Sequence, residues 1–228
     1  MTQIIPIPLK WSNAYLIKGE RPVLVDTGSP NDTARLLRAF QKAKIAPSDL
    51  ALIVHTHGHH DHCGCTWEMK KLSKAPTAIH QMDRPMLQSG RNGRLIPTRF
   101  SAWLMKSVFE KERYKGLNAT IIIKDEMRLD KFGIPAMLIF TPGHTVGSIS
   151  IVTDAGEAVV GDLLMGGYLG GQLLKHRPRY HYYAYDLTVI HWSLKKLMRH
   201  NPQRLYVGHG GPLEAKTIIN RFKKDIDF

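Results

Sequence analysis

Residues 50–65 read LALIVHTHGHHDHCGC, an apolar run that empties into five histidines and one aspartate within positions 55–62. The run is short and rich in Leu, Ile and Val, the composition of a strand covered on both faces. The residues just beyond a buried strand lie at the edge of a core, and five imidazoles cannot sit there without partners. Histidine and carboxylate are also strong metal ligands. Either the histidines are incidental, or the chain buries this strand and brings further donors to the edge where it ends, so that the side chains surround an ion.

Elsewhere, short β-rich runs bounded by turn residues alternate with helical patterns. IIPIPL, AYLI, VLVDTG, TAIH, ATIII, PAMLIF, SISIV, EAVVGD and RLYVG read as strands. Helices are expected over 32–43, where Leu36, Leu37 and Phe40 share a face, and near 67–72, 186–200 and 213–224. Many strands with interspersed helices in one chain point to an αβ sandwich. The 228 residues, 43% of them hydrophobic, suffice for one sizeable core, so a single domain over 1–228 is expected. Residues 84–117 break the rhythm. Pro85, Gly90, Gly93 and Pro97 precede SAWLMKSVFEKERY, an amphipathic helix with Trp103, Leu104 and Val108 on one side, and the segment reads as a cap-like excursion.

No apolar run approaches the ~20 residues of a membrane-spanning helix. The N-terminal MTQIIPIPLKWSN lacks a basic start and an unbroken apolar stretch, so a cytoplasmic protein is expected. Cys63 and Cys65, the chain's two cysteines, are too close for comfortable bridge geometry and read as small packing residues. The net charge of +13 leaves nucleic acid open as a partner beside a small-molecule substrate. Its densest patch is 84–116, where eight Lys/Arg face Glu110 and Glu112. No feature specifies an oligomeric state.

Four further stretches place an acid or a histidine at a strand end before a turn: VLVDTG (Asp26), TPGHTVGS (His144), VVGDLL (Asp162) and YVGHGGP (His209). Loops at strand ends are where a rigid scaffold presents reactive groups. His57 and His59, two apart, point the same way in an extended segment. One ion held by His57 and His59 has room for His144, and a second held by Asp61 and His62 has room for His209. Asp162, with two oxygens, can bridge the pair. His55 and His60 are expected to be supporting or exposed, and His80, His176, His181, His191 and His200 to be ordinary surface or core histidines.

At these residues the chain resembles the metallo-β-lactamase-fold hydrolases. Thr56–His62, T-H-G-H-H-D-H, matches the T-H-x-H-x-D-H motif of that family, and Asp26, His144, Asp162 and His209 stand in order where its other motifs fall. The resemblance covers about 4–215. It implies an α+β fold, a four-layer αββα sandwich, with two zinc ions (iron or manganese in their place) held by His57, His59, Asp61, His62, His144, Asp162 and His209. It gives Asp26 the role of supporting the ligand loops. Asp26 and Asp61 are the catalytic candidates, Asp61 as a proton shuttle beside the nucleophile.

Such a centre makes a hydrolase in which metal-bound hydroxide attacks the substrate. The complete set of seven donors is similar to that of glyoxalase II-like thioesterases and lactonases, which implies a small carboxylic ester-type bond, a lactone or thioester. Family β-lactamases generally lack an aspartate at the Asp162 position. With about twenty residues after His209, the glutathione-recognition apparatus of glyoxalase II's helical C-terminal domain is expected to be missing or rebuilt, and the lactonases' tyrosine three residues past their bridging aspartate is matched here by Met165, with Tyr168 six beyond. Within 175–186, KHRPRYHYYAYD, the tyrosines Tyr180, Tyr182 and Tyr183, with Tyr168, are candidates for substrate binding or for anchoring a long loop. The competing readings are a phosphodiesterase or nuclease of the same fold, favoured by the charge, β-lactamase activity, di-iron redox chemistry, and a binding module without catalysis.

Overall fold

The structure, a computed structural model, describes residues 2–228. One six-stranded sheet is built in spatial order from β1 (Gln3–Pro8), β2 (Asn13–Lys18), β3 (Val23–Val25), β4 (Leu52–Val54), β5 (Thr77–His80) and β6 (Ile121–Ile123). Its first three strands pair antiparallel and β3 to β6 pair parallel. A second six-stranded sheet runs β14 (Leu213–Glu214), β13 (Arg204–Val207), β10 (Glu157–Gly161), β9 (Ile149–Thr153), β8 (Ala136–Phe140) and β7 (Met127–Arg128). Outside both stands a hairpin of β11 (Met165–Tyr168) and β12 (Leu173–Arg179), a pairing not apparent in the sequence because 175–186 reads as loop.

Period-two alternation assigns each strand residue to one of three apolar layers. Tyr15, Ile17, Val23, Val25, Leu52 and Val54 point between the sheets, where they meet Leu138, Ile149, Ile151 and Val159. The intervening Leu16, Leu24 and Ile53 point outward onto Leu36 and Phe40 of α1 (Thr33–Ala43) and Met69 of α3 (Thr66–Ser73). On the far side Ala158, Val160, Leu205 and Val207 meet Ile190, Leu194 and Leu197 of α6 (Leu187–Met198) and Ile218 and Phe222 of α7 (Ala215–Phe222). Both faces of each central strand are thus covered, which is why those strands read as continuous apolar runs. The result is the αββα sandwich. Each buried Leu, Ile or Val contributes about 1.5–3 kcal/mol.

Strand direction positions the functional loops. β3, β4 and β5 run one way together, as do β8, β10 and β13, and the candidate residues come after these strands' C-terminal ends. Main-chain bonds stitch the two rims together: Asn13 N donates to Gly208 O at 2.7 Å and Ile149 N to Thr56 O at 2.9 Å.

Residues 84–116 hold α4 (Arg84–Ser89) and α5 (Phe100–Lys111). This excursion is pinned to the rim: Tyr114 Oη donates to Gly58 O, His60 N to Asn92 Oδ1, and Thr98 N to Tyr182 O. α5 carries the expected apolar stripe, but turned outward: Phe100 is 74% exposed, Trp103 60% and Leu104 58%. Its inner side instead carries Ala102, packed on Leu95 and Tyr183, and Glu110, which accepts from Leu95 N.

Candidate metal centre

Every one of the seven donors named from the sequence reaches one rim of the sandwich. His59 starts the short helix α2 (His60–Cys63), which carries Asp61 and His62; His57 precedes it, and the other three donors come after β8, β10 and β13. Their ligand atoms fall into groups able to hold an ion: His57, His59 and His144; Asp61, His62 and His209; and His57, His62 and Asp162. Asp162 Oδ2 is the hub. It lies 3.8 Å from His57 Nε2, 3.5 Å from His62 Nε2, 3.5 Å from His144 Nε2 and 3.2 Å from His209 Nε2. Gly208 makes this packing possible, since a Cβ there would run into Asp162 Oδ1 and His62 Cε1.

The outward nitrogens fix how these rings are aimed. His62 Nδ1 meets Asp26 Oδ2 at 2.8 Å, His144 Nδ1 meets Tyr183 O at 2.9 Å, and His209 Nδ1 meets Trp11 O at 2.8 Å. His57 Nδ1 meets Thr56 Oγ1 at 3.0 Å, and that hydroxyl gives its own hydrogen to Asp26. With Nδ1 facing an acceptor, the neutral form of each ring carries its lone pair on the inward Nε2. His59 is reversed and presents Nδ1, 3.0 Å from His144 Nε2. Buried and without partners are His57 Nε2, His62 Nε2, His209 Nε2 and Asp162 Oδ1. Orphaned atoms of this kind are costly unless a cation takes their lone pairs, so the residues fit a metal centre.

The electrostatics differ between the two halves. Burial, reinforced by neighbouring imidazoles, pushes His57 well below the usual histidine range. Burial likewise takes His59 down to about 4 and His144 to about 3. In the other half burial opposes charge on His209, but Asp162 and Asp61 lift it to about 10. Burial also works against ionisation of Asp162, yet His209, His181 and His62 around it hold the carboxyl well below its usual range. The first half offers neutral nitrogen donors; in the second, although burial opposes charge on His62 as well, Asp162, Asp26 and Asp61 raise it well above the usual histidine range, so carboxylates and proton-favouring imidazoles are paired.

A profile of the metallo-beta-lactamase superfamily matches residues 11–209. The chain belongs to that superfamily. It is 27% identical over 203 residues to a protein of Methanocaldococcus jannaschii described as a "probable metallo-hydrolase", with 87% of each chain covered. A second probable metallo-hydrolase, YflN of Bacillus subtilis, is 27% identical over 219 residues, covering 86% of this chain and 78% of its own. Among solved structures, TTHA1623 in a di-iron-bound form superposes with a TM-score of 0.68 at 26% identity, over 94% of this chain and 96% of that one.

Asp26 lies behind the candidate donors and is bonded to their loop. Its φ of 61° bends the chain so that Oδ1 accepts from Thr56 N while Oδ2 accepts from Thr56 Oγ1 and His62. His55 is fully buried on Thr66 and His60 is bonded to Asn92, so both support the loop. Both cysteines are free and buried, their sulfurs on His57 O and Ser29 O. The tyrosines divide: Tyr180 Oη meets His191 and Tyr183 Oη donates to Ala102 O, whereas Tyr168 and Tyr182 are half-buried under Arg179 and Arg99.

Two residues at the centre escaped the sequence reading. His181, expected to be an ordinary histidine, is a correction: it is buried with Nε2 3.4 Å from Asp162 Oδ2, grouped with His144 and Asp162. Its only signal was its place among the tyrosines of 175–186. Asp83 is the second. Its Oδ2 accepts from Gly58 N and Thr145 Oγ1 and its Oδ1 from Gly147 N, clamping the His57–His59 turn to the His144 loop. It stands just after β5 as Asp26 stands just after β3, a repeated pattern that could have exposed it.

Proposed function

We propose that this chain is a dinuclear metal-dependent hydrolase that cleaves a small carboxylic ester-type bond, a lactone or a thioester. The observation that carries the reading is Asp162 Oδ2 at the hub of four of the donor imidazoles, between a three-histidine group and an Asp–His–His group. His57, His59 and His144 would hold one ion and Asp61, His62 and His209 the other, with Asp162 available to both. Zinc suits these donors, and iron or manganese is accepted by the same set, as the di-iron form of TTHA1623 illustrates for that relative. Once bound, the ions supply the Lewis acidity that activates water and polarises the bond to be cut.

The chain's own groups do the rest. Asp26 and Thr56 hold His62 and His57 in the ligating tautomer. Asp61, 3.4 Å from His209 and less deeply buried than the other donors, is the carboxylate placed to carry a proton toward a leaving group. Residues 84–117 act as the cap, and Tyr168 with Arg179 and Tyr182 with Arg99 present ring faces and guanidinium groups to an acyl chain that ends in a carboxylate or amide. The whole of 1–228 works as one unit, and two free cysteines agree with a reducing cytoplasm. Among the described residues no helix is long and apolar enough to cross a membrane.

The test is turnover by the zinc-reconstituted protein on an acyl homoserine lactone, a lactoyl-glutathione thioester, a cephalosporin and a phosphodiester. Preference for the lactone or thioester is expected. Preference for the phosphodiester would overturn the reading and turn attention to the basic charge of 84–116.

A further inference from the structure

His181 sits among the donor residues but is wired in the opposite sense. Its ring lies 4.7 Å from that of His144 and 5.1 Å from that of His209, and its Nε2 points at Asp162 Oδ2 from 3.4 Å. What separates it from its neighbours is the outward nitrogen. In His57, His62, His144 and His209, Nδ1 faces an oxygen that accepts from it. In His181, Nδ1 takes the main-chain N–H of Tyr183 at 3.2 Å.

A peptide N–H can only donate, so Nδ1 of His181 must offer its lone pair. Tyr183 O also lies 3.1 Å from this nitrogen, but it already accepts the shorter bond, 2.9 Å, from His144 Nδ1. Hydrogen on Nδ1 would leave the Tyr183 N–H facing another donor, with no acceptor of its own among the described contacts. The hydrogen of the neutral ring is thereby placed on Nε2, and a protonated Nε2 has no lone pair with which to bind a cation.

We propose that His181 is a catalytic residue and not an eighth ligand: it holds Nε2–H toward the centre as a fixed donor for the substrate oxygen that gains negative charge in hydrolysis. The inference rests on the hydrolytic reading. The 3.4 Å approach to Asp162 is long for a hydrogen bond, which leaves this donor free to serve an oxygen placed closer. The main chain that carries the imidazole is also held in advance of any substrate: Thr98 Oγ1 donates to His181 O at 2.8 Å and Thr98 N to Tyr182 O at 2.9 Å. A donor that needs no reorientation when charge develops is the arrangement that lowers a barrier most.

Three measurements on the zinc-loaded full chain test this. With ¹⁵N-labelled histidine, the one ring whose signals disappear from the long-range ¹H–¹⁵N spectrum in His181→Ala should have a pyridine-type Nδ1 and a protonated, metal-free Nε2. A metal-shifted Nε2 in that ring would overturn the proposal. Zinc content of His181→Ala and His181→Gln should stay at two ions per chain, and loss of one would mean that His181 is a ligand. On the best substrate of the panel, His181→Ala should lower kcat by about 10²–10³ with KM changed little, and His181→Gln, which keeps an N–H, should recover part of the loss. Unchanged kcat would sink the idea. If the parent turns over nothing, the hydrolytic reading fails separately. The donor is then read from inorganic phosphate, an oxyanion whose binding should weaken about tenfold in His181→Ala and whose unchanged affinity would overturn the proposal.

Discussion

The loops that carry the candidate donors and the excursion bonded to them, residues 84–116, treat their side chains in opposite ways. In the loops Asp26 satisfies three donors, Asp83 three more, and the imidazoles turn their remaining nitrogens to a shared centre. In the excursion, α5 exposes Phe100, Trp103 and Leu104 while Glu110 faces inward to bond Leu95 N. The first region is organised by polar bonding under burial, where an unmatched group is costly. The second is attached at a few points, Tyr114 to Gly58, Asn92 to His60 and Thr98 to Tyr182, and its apolar stripe does not contribute to the core. Proximity to a centre therefore does not imply dependence on it.

The sharpest way to break this contrast is at its hub. Asp162→Ala should reduce zinc content from two ions toward one and lower turnover by about a thousandfold or more, because the lost charge stabilisation is worth several kcal/mol. Full activity with two ions bound would remove Asp162 from the bridging role. Next comes the core. Leu194→Ala, between α6 and the second sheet, should cost about 2–5 kcal/mol in urea unfolding, since it opens a cavity among packed side chains.

Asp83 tests the polar clamp. Asp83→Ala strands Gly58 N and Gly147 N and should cost about 2 kcal/mol, with activity falling more than zinc content. Its pH dependence has a definite sign. Burial lifts the Asp83 carboxyl to about 6, against the three donors that pull it down. Its folded value lies above its unfolded one, so this group's stabilisation is complete below about pH 4. It is lost as pH rises through about 6. Asp83→Asn should flatten the stability curve across that window, and an unaltered slope between pH 4 and 6 would refute it. The smallest effect is expected on α5: replacing Trp103 or Leu104 by Ser should change the unfolding free energy by no more than about 0.5 kcal/mol. A loss comparable to that of Leu194→Ala would show that the stripe is covered by something.

Much of this molecule was legible because it is written in local patterns. Alternation along VLVDTG and LALIVHT places Leu24 and Ile53 on one face and Val25 and Val54 on the other, and a strand buried on both faces can only end at an edge. The seven donors stand just past such strand ends, so position and chemistry coincided. His181 and Asp83 were not legible for a different reason. Which way an imidazole carries its hydrogen depends on a neighbour such as the Tyr183 amide, and what a carboxylate clamps depends on loops 25 and 62 residues away along the chain.

By itself, then, the sequence determined the layers, the strand ends and the candidate donors, since each arises from periodicity and residue type within a few positions. The tertiary structure alone decided that β11 and β12 fold back to carry His181 to Asp162, that α5 faces outward, and that Asp83 joins two ligand loops. Those outcomes depend on contacts between distant segments, and no local spacing encodes a contact whose two sides are brought together only when the sheets close.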